Sequence, residues 1–178
     1  MLKSGSSSID FRSLIRDVPD FPKPGILFRD ITPLLGNGPA FRACITQMCE
    51  RLSPYKPQII SGIESRGFIF GATMAVEMGI GFVPIRKPRK LPWKTRQETY
   101  ALEYGTDAIE IHEDALAAGT RVALVDDLLA TGGTSGAAIK LLQSLGGNVV
   151  ATEFLIELAF LEGRRRLGTV PVEVLITY

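Results

Sequence analysis

Val122-Ala-Leu-Val-Asp-Asp-Leu-Leu-Ala-Thr-Gly-Gly-Thr134 reads as a buried strand, two acids, a Gly/Thr turn and the start of a helix. The run from Arg121 to Asp126 is continuously apolar between its ends, as strands covered on both faces of a parallel sheet are. Ala137, Ala138, Leu141, Leu142 and Leu145 then recur at helical spacing, and Gly146-Gly147 ends the helix. This order puts the amides of Thr131 to Thr134 at a helix N-terminus. Unsatisfied N–H groups and the positive end of the dipole attract an anion there. Gly132 and Gly133 let the backbone come close to a phosphate. Asp126 and Asp127 stand at the carboxyl end of the strand, the edge where open α/β sheets bind ligands. Two carboxylates beside an anion site suit a ligand that also carries hydroxyls, as a ribose does. The turn is neither GxxxxGK[ST] nor GxGxxG. A plain N-capped helix with two solvated acids would give the same letters.

Working outward, Gln58–Ile63, Gly81–Ile85, Asn148–Ile156 and Val170–Thr177 are further short apolar runs, and Phe68–Met78 reads as a helix. Strands alternating with helices predict βαβ units and a mainly parallel sheet flanked by helices. One insert breaks the rhythm: Glu98–Tyr104 and Ala108–Glu113 around Gly105-Thr-Asp107 read as an antiparallel hairpin. Residues 1–8 read as a frayed tail. Ile9, Phe11, Leu14 and Ile15 have roughly helical spacing within Ile9–Val18. Pro19-Asp-Phe-Pro-Lys-Pro-Gly25 predicts an extended, stiff segment. Asn37-Gly-Pro-Ala opens a helix reaching about Leu52.

The 178 residues, 46% apolar and 22% charged with a net charge of +1, suit one globular domain, 1–178. That balance disfavours a globally basic nucleic-acid binder. Cys44, Cys49 and the lone His112 supply neither a disulfide framework nor a zinc set, and the cysteines read as packing residues. No apolar run reaches membrane length and the start lacks a signal-peptide core, so a cytoplasmic protein without membrane or nucleic-acid partners is expected.

Two more segments carry chemistry. Arg86, Lys87, Arg89, Lys90, Lys94 and Arg96 crowd residues 86–96 without an acid. A charge run is ordinarily a solvated loop, yet this one could bind phosphate through charge-assisted hydrogen bonds. Ser61-Gly-Ile-Glu-Ser-Arg-Gly67 is a polar turn following a strand, in which Glu64 could instead cap a helix. Arg164-Arg-Arg166 reads as a solvated helical face.

The stretch Leu124–Thr134 resembles the phosphoribosyl-pyrophosphate (PRPP) motif of the type I phosphoribosyltransferases. Phe21-Pro-Lys-Pro-Gly-Ile-Leu-Phe-Arg-Asp-Ile31, Glu64-Ser-Arg-Gly-Phe68, Ile85-Arg-Lys-Pro-Arg-Lys-Leu-Pro92 and Leu102-Glu-Tyr-Gly105 resemble the adenine-using branch of that family. The resemblance runs from about residue 10 to the end. It implies the type I phosphoribosyltransferase fold, with a small N-terminal hood at about 9–36 and a flexible lid hairpin at about 86–113. It implies transfer of the phosphoribosyl group from PRPP to N9 of adenine, giving AMP and pyrophosphate, with Mg2+ held mainly by PRPP and by no protein ligand directly. A homodimer is implied as well. By the same resemblance Asp126 and Asp127 hold the ribose hydroxyls, and Ala130, Thr131, Gly132, Gly133 and Thr134 cradle the 5′-phosphate. Ser65, Arg66, Arg86, Lys87 and Lys90 face pyrophosphate. Leu27 and Arg29 offer backbone groups to adenine, while Phe28 and Leu158 pack on it. Glu103 manages a proton near N7 of the purine, beside Tyr104 on the lid. A cis peptide near Glu64-Ser65 is implied too, although the family often has Asp where this chain has Glu64. The rivals are a sister enzyme using another base and a non-catalytic PRPP or nucleotide sensor on the same fold.

Overall fold

In the structure, a computed structural model that describes residues 9–101 and 105–178, Asp10 caps a 3-10 turn over Phe11–Leu14 by accepting the Arg12 N–H at 3.1 Å. Helical spacing in Ile9–Val18 is thus realised for one turn only. Arg16–Val18 forms a strand, β1, paired antiparallel with β2 (Phe28–Asp30). Tertiary pairing overrides the local pattern, helped by two cross-strand ion pairs, Arg16–Asp30 at 2.6 Å and Arg29–Asp17. The Thr32 N–H and Arg16 hold the Asp30 carboxyl down at about 2. The proline segment between these strands is a closed loop rather than an extended one. The Gly25 N–H, at φ +85, bonds the Asp20 carboxylate at 2.8 Å, and the Phe21 N–H reaches the Ile26 carbonyl at 3.2 Å. A short helix α1 (Thr32–Gly36) precedes α2 (Gly38–Leu52), where Asn37 accepts the Ala40 N–H at 3.1 Å as an N-cap. The chain divides into two compact units, Met1–Thr46 and Gln47–Tyr178.

The second unit is built on five parallel strands. β3 (Ile59–Ile63) leads through α3 (Gly67–Met78) to β4 (Gly81–Ile85). An antiparallel hairpin follows, β5 (Thr95–Ala101) with β6 (Thr106–His112). Then come β7 (Arg121–Leu129), α4 (Gly133–Ser144), β8 (Asn148–Glu157) and β9 (Val172–Thr177). The sheet order is β4-β3-β7-β8-β9. Val122, Ala123, Leu124 and Val125 are wholly buried, as a central parallel strand requires. From β3 the chain winds to one side of the sheet, and from β7 to the other. The crevice between the carboxyl ends of β3 and β7 is therefore a topological switch point.

β7 and the hairpin depart from the boundaries expected. β7 runs three residues past Asp126, because Leu128 and Leu129 continue to pair with Ile156 and Glu157 of β8. In the hairpin, Thr106 and Asp107 are strand rather than loop, opposite Ala101 and Tyr100.

Glu153, wholly buried in β8, has neither carboxylate oxygen hydrogen-bonded among the described residues. Burial pushes its carboxyl from an ordinary 4.5 up to about 8, opposed by Arg51 and aided by Glu173. Between those values the unfolded chain is ionised while the fold keeps its proton, so stability falls as pH rises through the window. Glu153→Gln is expected to match wild type near pH 5 and to exceed it by about 2 kcal/mol above pH 8. Urea unfolding at both pH values checks this; identical pH profiles would exonerate Glu153.

Candidate active site

Parallel strands put all their carboxyl ends on one edge, and the expected site residues of the second unit lie along it. Ser65 and Arg66 follow β3, Arg86, Lys87 and Lys90 follow β4, Asp126 and Asp127 lie in the last four residues of β7, and Leu158 follows β8. The Glu64–Ser65 peptide is cis. Leu27, Phe28 and Arg29 belong to the first unit. There Phe28 meets Phe21 edge-on with centroids 5.1 Å apart, Leu27 is 46% exposed and Arg29 pairs with Asp17. Glu103 and Tyr104 lie outside the described residues.

At the switch point the two loops touch. Arg66 Nε donates to the Asp127 carboxylate at 2.9 Å, joining the turn after β3 to the end of β7. Gly67 begins α3 against the same place: a Cβ there would stand 2.8 Å from Asp126 Oδ1 and 2.9 Å from the Val125 carbonyl. No side chain larger than hydrogen allows this approach. The Asp127 N–H donates to Asp126 Oδ1 at 2.9 Å. Burial, with the neighbouring Asp127 charge, pushes the Asp126 carboxyl well up; burial also raises that of Asp127, against the pull of Arg66.

Beyond Leu129 the turn Ala130–Gly132 leads into α4. Gly132 has φ +75, and a Cβ on it would fall 2.3 Å from the Gly163 carbonyl, so the turn is wedged against the segment after β8. No side chain caps the first-turn amides of α4, which is the condition an anion site at this turn needs. A cavity of about 330 Å³ opens on the flank of this turn, lined by Gly132, Gly133, Tyr100, Lys140 and Arg166 among others. Lys140 and Arg166 add positive charge beside the turn and were invisible to motif reading, since one sits in an ordinary helix and the other in a charge run. That run is not uniformly solvated either. Arg164 makes two bonds to the Glu157 carboxylate, at 2.7 and 2.8 Å, and one to the Val172 carbonyl at 3.0 Å.

The basic segment is only partly solvated: Arg89, Lys90, Lys94 and Arg96 are exposed, while Arg86 and Lys87 are half-buried. Glu64 accepts from Lys90 at 2.7 Å, from the Lys87 N–H at 3.0 Å and from Arg86 at 3.3 Å. Burial alone would raise the Glu64 carboxyl; these donors outweigh it and hold it at about 2. Glu64 therefore gathers the cations instead of capping α3, which starts without a side-chain cap. Lys87 pairs with Asp107 of the hairpin, and its ammonium donates to Tyr100 Oη at 3.1 Å. The arrangement can grip a ligand with a phosphate on the helix amides, hydroxyls on the acids and a second anion on the cations. Among the described residues, no group of three or more His, Cys, Asp or Glu could hold a metal ion, and no helix is long and apolar enough to cross a membrane.

Comparison with known proteins agrees with this geometry. The phosphoribosyl transferase domain family matches residues 35–171. An adenine phosphoribosyltransferase from Thermotoga petrophila is 55% identical over 170 residues, covering 96% of this chain and 100% of its own. The crystal structure of adenine phosphoribosyltransferase from Thermoanaerobacter pseudethanolicus superposes with a TM-score of 0.93 at 50% identity, over 94% of this chain and 98% of that one. The Saccharomyces cerevisiae adenine phosphoribosyltransferase, complexed with an imino-altritol bisphosphate and adenine, gives a TM-score of 0.87 at 41% identity, over 93% and 96% of the chains.

Proposed function

Because the chain belongs to the adenine phosphoribosyltransferase family, we propose that it joins adenine N9 to the phosphoribosyl group of PRPP, forming AMP and pyrophosphate. It is a pentosyl-transferring enzyme of the type I fold. The observation that carries the residue roles is the Arg66–Asp127 ion pair across the β3/β7 switch point, with the uncapped turn into α4 following the same strand. A sugar phosphate laid there would place its diol on Asp126 and Asp127 and its 5′-phosphate on the α4 amides. Ser65, Arg66, Arg86, Lys87 and Lys90 would then receive the departing pyrophosphate, whose negative charge grows as the bond to the sugar carbon breaks. Adenine attacks that carbon from the other side, so configuration inverts. Leu27 and Arg29 offer the base backbone groups, and Phe28 and Leu158 offer apolar contact. Glu103 takes up the proton problem at the imidazole ring, and Tyr104 belongs to the same lid.

Mg2+ keeps few protein ligands and prefers substrate phosphates, so in this reading it arrives on PRPP and takes no direct protein ligand. Bound there, it neutralises diphosphate charge. A cytoplasmic homodimer completes the reading. The test is direct: purified protein, Mg2+ and PRPP are mixed with adenine, hypoxanthine, guanine, xanthine or orotate, and the nucleotide is identified. AMP from adenine alone is expected. A different nucleotide would support the sister-enzyme reading, and none at all the sensor reading.

A further inference from the structure

Tyr100 and Asp107 face each other across the β5/β6 hairpin, and their partners lie on two other elements. Tyr100 Oη donates to Asp107 Oδ2 at 3.2 Å. It accepts from Lys87 Nζ at 3.1 Å, on the segment after β4, and from Thr134 Oγ1 at 3.2 Å, in the first turn of α4. Lys87 Nζ also bonds Asp107 directly and lies 5.7 Å from the centre of the Tyr100 ring. A phenol has one hydrogen to give and two lone pairs to fill, so Tyr100 is saturated. The Thr134 hydroxyl has spent its one hydrogen on Tyr100, and Lys87 has spent its charge on Asp107. Both residues are assigned above to PRPP, one to each of its anionic ends.

We propose that Tyr100 and Asp107 are positioning residues that hold Lys87 and Thr134 in the substrate-free enzyme, so that PRPP binds only by taking both from the hairpin. The proposal rests on the roles given to Lys87 and Thr134 under Proposed function. The exchange has a definite balance: the Thr134 O–H turns from the phenol to the 5′-phosphate, and the Lys87 ammonium turns from the Asp107 carboxylate to the diphosphate. Asp107 is then left to the Tyr100 hydroxyl and the Ala108 N–H, which already donates to it at 2.8 Å. Asp107 therefore lowers PRPP affinity in the resting enzyme, and occupancy of the site loosens the hairpin from α4. Lys87 and Asp107 side chains are 37% and 31% exposed, so water screens the pair and the effect is a matter of a few-fold.

The test is calorimetry of PRPP and of inorganic pyrophosphate, both with Mg2+, on wild type, Asp107→Asn, Asp107→Glu and Lys87→Ala. Asp107→Asn removes the competing charge at almost unchanged shape and is expected to tighten both ligands about five-fold. Steady-state kinetics should show the change in the PRPP KM, with the adenine KM unmoved. Asp107→Glu restores the charge and should return affinity to the wild-type value. A purely structural Asp107 would lower stability in the Asn variant without tightening either ligand. If Lys87→Ala weakens binding while Asp107→Asn leaves it unchanged or weaker, the hold on Lys87 is disproved and the Lys87 role stands. If Lys87→Ala has no effect, both fall.

Discussion

Asp127→Ala is expected to weaken PRPP binding roughly 100-fold while leaving the affinity for adenine within about two-fold. The asymmetry follows from where Asp127 sits. Its side chain is only 6% exposed, at the end of β7, and its carboxylate is bonded to Arg66. The diol of PRPP would donate to this carboxylate and to Asp126, and each hydrogen bond to a charged group contributes about 1.5–3 kcal/mol. Truncation also removes the partner of an arginine assigned to pyrophosphate, so both halves of the ligand lose an anchor. Burial raises both carboxyls above the ordinary aspartate value of 3.8. The ionised forms accept from the diol more strongly than the protonated ones, so PRPP affinity should decline as pH falls through that raised range. Asp127→Asn keeps the volume, loses the charge and should flatten this limb. Calorimetry of PRPP and adenine across pH checks both statements; unchanged PRPP affinity in Asp127→Ala would remove the acids from the sugar site.

What could be read from letters, and what could not, divides along physical lines. The strands from residue 59 onward were legible because buried parallel strands are continuous apolar words bounded by turns, and Val122–Val125 is such a word. The turn into α4 was legible because Gly132 and Gly133 advertise a backbone that must bend and approach closely, and Gly132 does have φ +75 against Gly163. The end of β7 was misjudged because two adjacent acids look like the end of a strand; the pairing with β8, which carries it to Leu129, is a property of the partner. The same holds for β1, whose helical spacing yields to β2. Counter-charges were the least legible. Glu64 lies over twenty residues from Lys87 and Lys90, and Asp107 lies in the hairpin, so the counter-charges of Arg86, Lys87 and Lys90 come from tertiary contacts that the run itself does not show. Residues 102–104 fall outside the described residues, so Glu103 and Tyr104 stand on resemblance and chemistry.

Glu103→Gln is expected to lower turnover about 100-fold or more, with PRPP affinity changed little. Neutral adenine carries its imidazole proton on one ring nitrogen, and making a bond at N9 leaves a cationic purine unless a proton departs. A carboxylate that accepts this proton in the transition state contributes by general base catalysis, for which losses of 10²–10⁴ on removal are typical, so about 100-fold is the lower end. β5 ends at Ala101, whose carbonyl lies 3.7 Å from where a Cβ on Gly133 would stand, so the hairpin arrives beside the phosphate turn before the chain reaches Glu103. The prediction separates chemistry from binding. A residue that merely shaped the lid would raise the KM for PRPP or adenine, whereas a proton acceptor changes kcat while calorimetric PRPP affinity stays. Glutamine keeps size and polarity but takes up no proton, so it isolates the proton step; Glu103→Asp shortens the reach and should recover part of the rate. Single-turnover mixing of enzyme with PRPP and adenine reads the chemical step before product release. A wild-type rate for Glu103→Gln in that experiment would pass the proton to water or to another group.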